Sequence, residues 1–187
     1  MGWKEIGAVM SETQQLLAGE RDGVVFFKPI GRADVRVAPQ LEELAKKAIE
    51  TNVSDIIVDL SETRAIDSTF VGVLCGLWRR LAELRSQGKE AQIRLFGMGK
   101  ETRESLESLN LLQLFPLAEE LPPVAYKALL PWQPGSPEKL REVVAEAHRR
   151  LIEAAPDQEP KFRDLLGLLE EEGKRAQDSG KPKRFSS

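Results

Sequence analysis

The sequence predicts a layered α/β domain, a mixed central β-sheet with helices, followed by a helical C-terminal extension. Three observations carry this. Short apolar runs alternate with segments of helical periodicity, in the order strand, helix, strand, helix, strand, helix. The runs are apolar on successive residues, as strands covered on both faces are. Six of the eleven prolines then fall between Pro116 and Pro137, setting that alternating region apart from two further amphipathic stretches.

In chain order, Gln15 to Ala18 is a candidate edge strand and Arg21-Asp22-Gly23 a hairpin turn. Gly23 to Gly31, GVVFFKPIG, places four β-branched or aromatic residues between glycines and reads as a buried strand. Leu41, Leu44, Ala45, Ala48 and Ile49 recur at helical spacing, with Pro39 near the start, where its missing N–H costs nothing. Asp55 to Ser61, DIIVDLS, is the next strand, and Ala65 and Ile66 lie in a brief link. A long helix is expected from Ser68 or Thr69 to Gln87 on a stripe of Phe70, Leu74, Leu77, Leu81 and Leu84, with Gly88 as its stop. Ala91 to Gly97 is a third strand. Thr102 to Leu109 is a shorter helix that Asn110 can end in a left-handed cap.

These elements define an α/β domain over residues 14–118, a proline-rich connector over 119–137, a helical extension over 138–173 and a flexible tail over 174–187. Ser136-Pro137-Glu138 is a good helix start, serine as N-cap and proline at the first helical position. Leu140, Val143, Val144, Ala147, Leu151 and Ile152 form one stripe. Pro156 and Pro160 break the chain before a second, shorter one on Phe162, Leu165, Leu166 and Leu169. Both stripes need cover. The first helix is expected to pack on its own domain with Trp132 pinning the connector, and the pair to contribute to a homodimer.

Composition removes several function classes. The 187 residues carry 27 Lys and Arg against 30 Asp and Glu, a formal net charge of −3, where nucleic-acid binders usually have a basic excess. One Cys and one His exclude a disulfide framework and most zinc sites built within one chain. No stretch approaches the roughly eighteen apolar residues of a membrane span. Glu5 and Glu12 interrupt any export pattern at the N-terminus. The expectation is a cytoplasmic protein with no nucleic-acid partner, no membrane insertion and no cofactor.

The informative run is Ile57 to Leu74, IVDLSETRAIDSTFVGVL. Ser68 falls at the start of the long helix, where free backbone N–H groups and the positive dipole end favour an added phosphate. A serine there is most often a cap, and one residue can serve as both. Asp59 reads as a turn former at a strand end rather than part of a metal or acid–base set with Ser61 and Asp67. Gly97-Met98-Gly99-Lys100 lacks the Walker spacing and reads as a strand-to-helix turn whose loop can border the partner face.

Asp59-Leu60-Ser61, Ile66-Asp67-Ser68-Thr69 and Gly72-Val73-Leu74 together resemble the STAS domain, found in anti-sigma factor antagonists and at the cytoplasmic end of sulfate transporters. The resemblance covers roughly residues 20 to 118. It implies that Ser68 matches a serine phosphorylated by an anti-sigma factor with serine-kinase activity, and Asp67 the aspartate needed for that exchange. The unphosphorylated form would bind the kinase, which holds the ATP, and a PP2C-type phosphatase would restore the serine. Asp67, Thr69, Phe70, Gly72, Asp59, Ser61 and Gly97 are the expected switch and partner-binding residues. Phe70 departs from the family, which usually has glycine there, and as a large aromatic beside the switch it would alter the contact surface.

Two other readings compete. A non-enzymatic STAS scaffold or interaction subunit of a larger signalling or transport complex needs no working Ser68. A serine hydrolase would take Ser68 as nucleophile, Asp67 or Asp59 as orienter and His148 as base. The stretch Ile66 to Phe70 is not a Gly-x-Ser-x-Gly elbow, and His148 belongs to the extension rather than the domain.

Overall fold

The Asp22-Gly23 turn closes a hairpin, with both residues at positive φ, 52° and 78°. It joins β1 (Gln15–Arg21) to β2 (Val24–Ala33), which pair antiparallel from Gln15↔Ile30 to Arg21↔Val24. The computed structural model describes residues 14–53, 55–130 and 132–179. β2 pairs parallel with β3 (Asp55–Asp59), and β3 with β5 (Gln92–Phe96). The sheet is therefore mixed, in the order β5-β3-β2-β1 with a two-residue strand, β6 (Lys127–Ala128), beyond β1.

The segment read as a brief link is a strand. β4 (Thr63–Ile66) pairs parallel with the far end of β2, across a register shift between Gly31 and Arg32. Four residues with an exposed Arg64 in their midst give no readable periodicity, so only tertiary pairing reveals it. Three helices complete the alternating region: α1 (Ala38–Glu50), α2 (Ser68–Ser86) and α3 (Lys100–Ser108), with Asn110 left-handed at φ 55° after α3. Their apolar stripes meet one sheet face, where Phe27, Leu41, Val58, Leu74, Leu77, Ile93 and Leu106 share one core.

The connector is not a free linker. β6 (Lys127–Ala128) adds antiparallel to β1, Arg21 Nη1 donates to the Pro123 carbonyl at 2.6 Å, and Gln40 donates to the Leu130 carbonyl. Backbone pairing thus covers an edge that would otherwise template aggregation. Trp132, expected to be the pin, is half-buried, and the ties just named lie before it.

In the extension, Ser136 caps α4 (Pro137–Ala154) by accepting from the Lys139 N–H at 3.1 Å. A 3₁₀ turn, Pro156–Gln158, leads into α5 (Glu159–Ser179). Pro160 sits in the first turn of α5 and does not break it, because the first-turn N–H groups have no helical partner to lose. α5 therefore runs past residue 173, and residues 174–179 are helical where a tail was expected. The rest of that tail, residues 180–187, and residues 1–13 lie outside the described residues. α4 packs on α2 and places Leu151 and Ala155 in the domain core, with Phe162 of α5 beside them. Among the described residues no helix is long and apolar enough to cross a membrane.

Candidate functional site

β4 ends at Ile66 and α2 starts at Ser68, so Asp67 forms the junction. Its backbone is extended, its N–H donates to the Ala33 carbonyl at 3.1 Å, and its carboxylate accepts from the Phe70 N–H at 2.8 Å. That is an N-cap, which fixes the first turn and with it the Ser68 side chain. Burial raises the Asp67 carboxyl above the usual range; the Phe70 N–H opposes this, and neighbouring Asp34 adds to it. Asp34 resists ionisation through burial too, but hydrogen bonds from Arg36 outweigh that and hold it low. Ser68 therefore lies in a locally acidic neighbourhood, tempered by Arg32 and Arg36.

Ser68 has an unexpected partner. Its Oγ lies 2.9 Å from His148 Nε2, while His148 Nδ1 lies 2.7 Å from the Val144 carbonyl. A carbonyl can only accept, so in the neutral imidazole Nδ1 carries the proton and Nε2 accepts from the Ser68 hydroxyl. His148 is 2 % exposed and stacks at a tilt on Phe162, ring centroids 5.1 Å apart. The separation of His148 from the serine, expected from its place in the extension, is thus corrected: α4 crosses α2 and brings the two together. The expected orienters are corrected as well. Asp67 is spent on the Phe70 N–H, and Asp59 accepts from the Ser61 N–H at 3.0 Å and pairs with Lys28 at 3.4 Å. A backbone carbonyl, not a carboxylate, positions the ring.

The other expected residues divide. Phe70 is wholly buried and Thr69 is 4 % exposed, so neither presents a surface to a partner in this arrangement. For Phe70 the reason is periodicity: it belongs to the apolar stripe of α2, and its ring fills the core rather than the surface beside Ser68. Gly72 is also covered. A Cβ there would collide with the Ala147 carbonyl, so glycine lets the α2 and α4 backbones touch.

Asp59, Ser61 and Gly97 form a second group at the far end of β3. Gly97 has φ 68°, and a Cβ on it would stand 2.8 Å from the Ser61 Cβ, so a left-handed glycine is required at this crossing. The Tyr126 hydroxyl donates to Asp59 at 3.4 Å, and burial followed by Asp59 pushes Tyr126 up to about 12. Ser61 and Gly97 are exposed; Asp59 is 3 % exposed and structural. Among the described residues no group of three or more His, Cys, Asp or Glu side chains is placed to hold a metal.

In the sequence His148 is named beside Ser68 only in the hydrolase reading and is set aside for its place in the extension, and Gly76 is not singled out. The available signal was spacing. Ser68, Gly72 and Gly76 recur every four residues, which lines small side chains along one side of a helix otherwise rich in Leu, Val and Phe.

A family model for the STAS domain matches residues 15–122, more than half of the chain. The chain belongs to the STAS domain family. Solved structures are also similar to it. An anti-sigma factor antagonist from Mycobacterium paratuberculosis is 24 % identical, over 59 % of this chain and 90 % of that one, at a TM-score of 0.49. The anti-sigma factor antagonist SpoIIAA in its unphosphorylated form is 18 % identical over 58 % and 89 %, at 0.45. A Thermotoga maritima protein is 18 % identical over 56 % and 86 %, at 0.48. No protein with a curated description matches the chain. α4 and α5 lie wholly beyond the matched STAS residues, so His148 is an addition to the domain.

Proposed function

We infer that this STAS protein is a phosphorylation-controlled protein-binding switch. It acts as an anti-sigma factor antagonist in the cytoplasm, and its unphosphorylated form binds an anti-sigma factor with serine-kinase activity. A PP2C-type phosphatase returns Ser68 to the hydroxyl form. The chain itself performs no chemistry and holds no cofactor. The observation that carries this reading is Ser68 at the first position of α2, immediately after the Asp67 cap, within the family-matched segment.

The physical basis is charge. A phosphate on Ser68 adds about −1.5 to −2 beside Asp67 and Asp34. A partner surface that accepts a neutral hydroxyl has no counter-charge ready for a dianion, and the complex pays desolvation without compensation. Ser68→Asp is therefore expected to weaken binding to the anti-sigma factor co-purified from the native host about tenfold or more, roughly 1.4 kcal/mol. Titration calorimetry checks this. Equal affinity of the variant and the wild type, with unchanged circular dichroism, would favour a STAS scaffold instead.

One observation gives the hydrolase a hearing: the Ser68–His148 contact. A nucleophile also needs an approach for substrate, and His148 is buried, facing α2 from α4 with Phe162 against its ring. The expected result is no labelling of Ser68 by a serine-reactive phosphonate.

A further inference from the structure

Ser68, Gly72, Gly76 and Arg79 stand at spacings of four, four and three, a single line along the outer side of α2. α4 is seated on that line. His148 meets the Ser68 hydroxyl at 2.9 Å, Ala147 lies against Gly72, the Arg150 side chain lies over Gly76, and Glu153 pairs with Arg79. Arg150 continues to α1, where its Nη1 donates to Glu42 at 2.6 Å. A kinase must bring a phosphoryl group up to Ser68 Oγ in line with the bond it breaks. A binding partner must reach the same helix start. Ser68 is half-buried and borders a recess also lined by Phe162 of α5. While α4 stays where it is, the Ser68 hydroxyl is held by His148 and the α4 side of the serine is closed to either approach.

We propose that α4 is an intramolecular cover on the Ser68 face of α2, and that Ser68 becomes available to other proteins only when α4 lifts. Along the Ser68 line the seam is made of small and polar groups: two glycines, an alanine, one histidine hydrogen bond and an ion pair, Arg79–Glu153, whose side chains are about half exposed. β6 keeps the connector on the sheet edge, so the chain after Ala128 can act as the tether while α4 moves. The apolar anchors are fewer, chiefly Leu151 with Ala155 and Phe162. As a gate, the cover rests on the switch reading above; as a contact, it rests on geometry alone.

Access can be read on the full chain without the kinase. A Ser68→Cys protein is treated with a polyethylene-glycol maleimide, a probe too bulky for the recess of about 240 Å³ beside residue 68. Cys75 is 2 % exposed, with its thiol pushed up to about 12 by burial, and serves as the slow internal reference after peptide mapping. Adding Gly72→Ala, which drives a Cβ into Ala147, should speed labelling at position 68 about tenfold or more. Ala147→Arg, a change confined to the extension, should do the same where Gly72→Ala compromises folding. Equal rates with and without these changes would overturn the cover, as would labelling of Ser68→Cys alone at the rate of the urea-unfolded chain. Amide hydrogen exchange of residues 137–154 in the wild type supplies a second reading: protection is expected, and exchange at unfolded-chain rates would overturn the cover. Absence of phosphate on Ser68 under any kinase would sink the switch and leave the labelling result standing.

Discussion

Ser68 is held from two sides, by the Asp67 cap that sets its helix and by the imidazole that takes its hydroxyl. Removing the cap with Asp67→Ala leaves the Phe70 N–H unpaired and is expected to cost about 1 kcal/mol in urea unfolding. Asp67→Asn keeps an oxygen for that N–H while removing the charge. Burial, then Asp34, raises the Asp67 carboxyl, so its favourable contribution is present at low pH and is lost as pH rises through the raised folded value. Asp67→Asn should thus be at least as stable as the wild type at neutral pH, with the gap narrowing under acid. A gap that widens under acid would contradict this sign. The Asp67-Ser68 pair was legible in the sequence because helix periodicity begins at it and because Ile66-Asp67-Ser68-Thr69 resembles the STAS motif. His148 was not, because its only sequence context is an amphipathic helix distant in the chain, and packing of that helix on α2 depends on a tertiary fit.

At the scale of elements, the α2–α4 seam decides most outcomes. On an open helix surface Gly→Ala stabilises by about 1 kcal/mol through propensity. At Gly72 the sign should reverse, because the Ala147 carbonyl occupies the Cβ position; thermal melts of Gly72→Ala check it. Leu151 is wholly buried, and Leu151→Ala should cost about 2–5 kcal/mol, read as a lower urea midpoint. Burial opposes ionisation of Glu42, yet Lys46 and Arg150 more than offset it and hold the carboxyl below its ordinary value. That stability is complete above the ordinary glutamate range and is lost as pH falls through the lowered value. Amide shifts of α4 should therefore move in acid and move less in Glu42→Gln, where this contribution no longer titrates. The helices were legible from their stripes, and β1 from its turn. β4 and β6 were not, since four- and two-residue strands carry no period and exist only through the neighbours they pair with.

For the molecule as a whole, the sequence order strand, helix, strand anticipates a mixed sheet covered by helices, and the proline cluster anticipates where the STAS-matched region ends. The first extension helix packs on its own domain as expected; that it lands against the serine is not anticipated, because an apolar stripe does not say which surface covers it. Under the proposed function and the proposed cover, the switch has two conditions, an unmodified Ser68 and a lifted α4. Its central condition is the covalent one. Intact-mass measurement after incubation with ATP and the serine kinase co-purified from the native host tests it most directly. One added phosphate on the wild type and none on Ser68→Ala is the predicted result; full phosphorylation of Ser68→Ala, or none on either the wild type or Ala147→Arg, whose Ser68 face is freed, would contradict it.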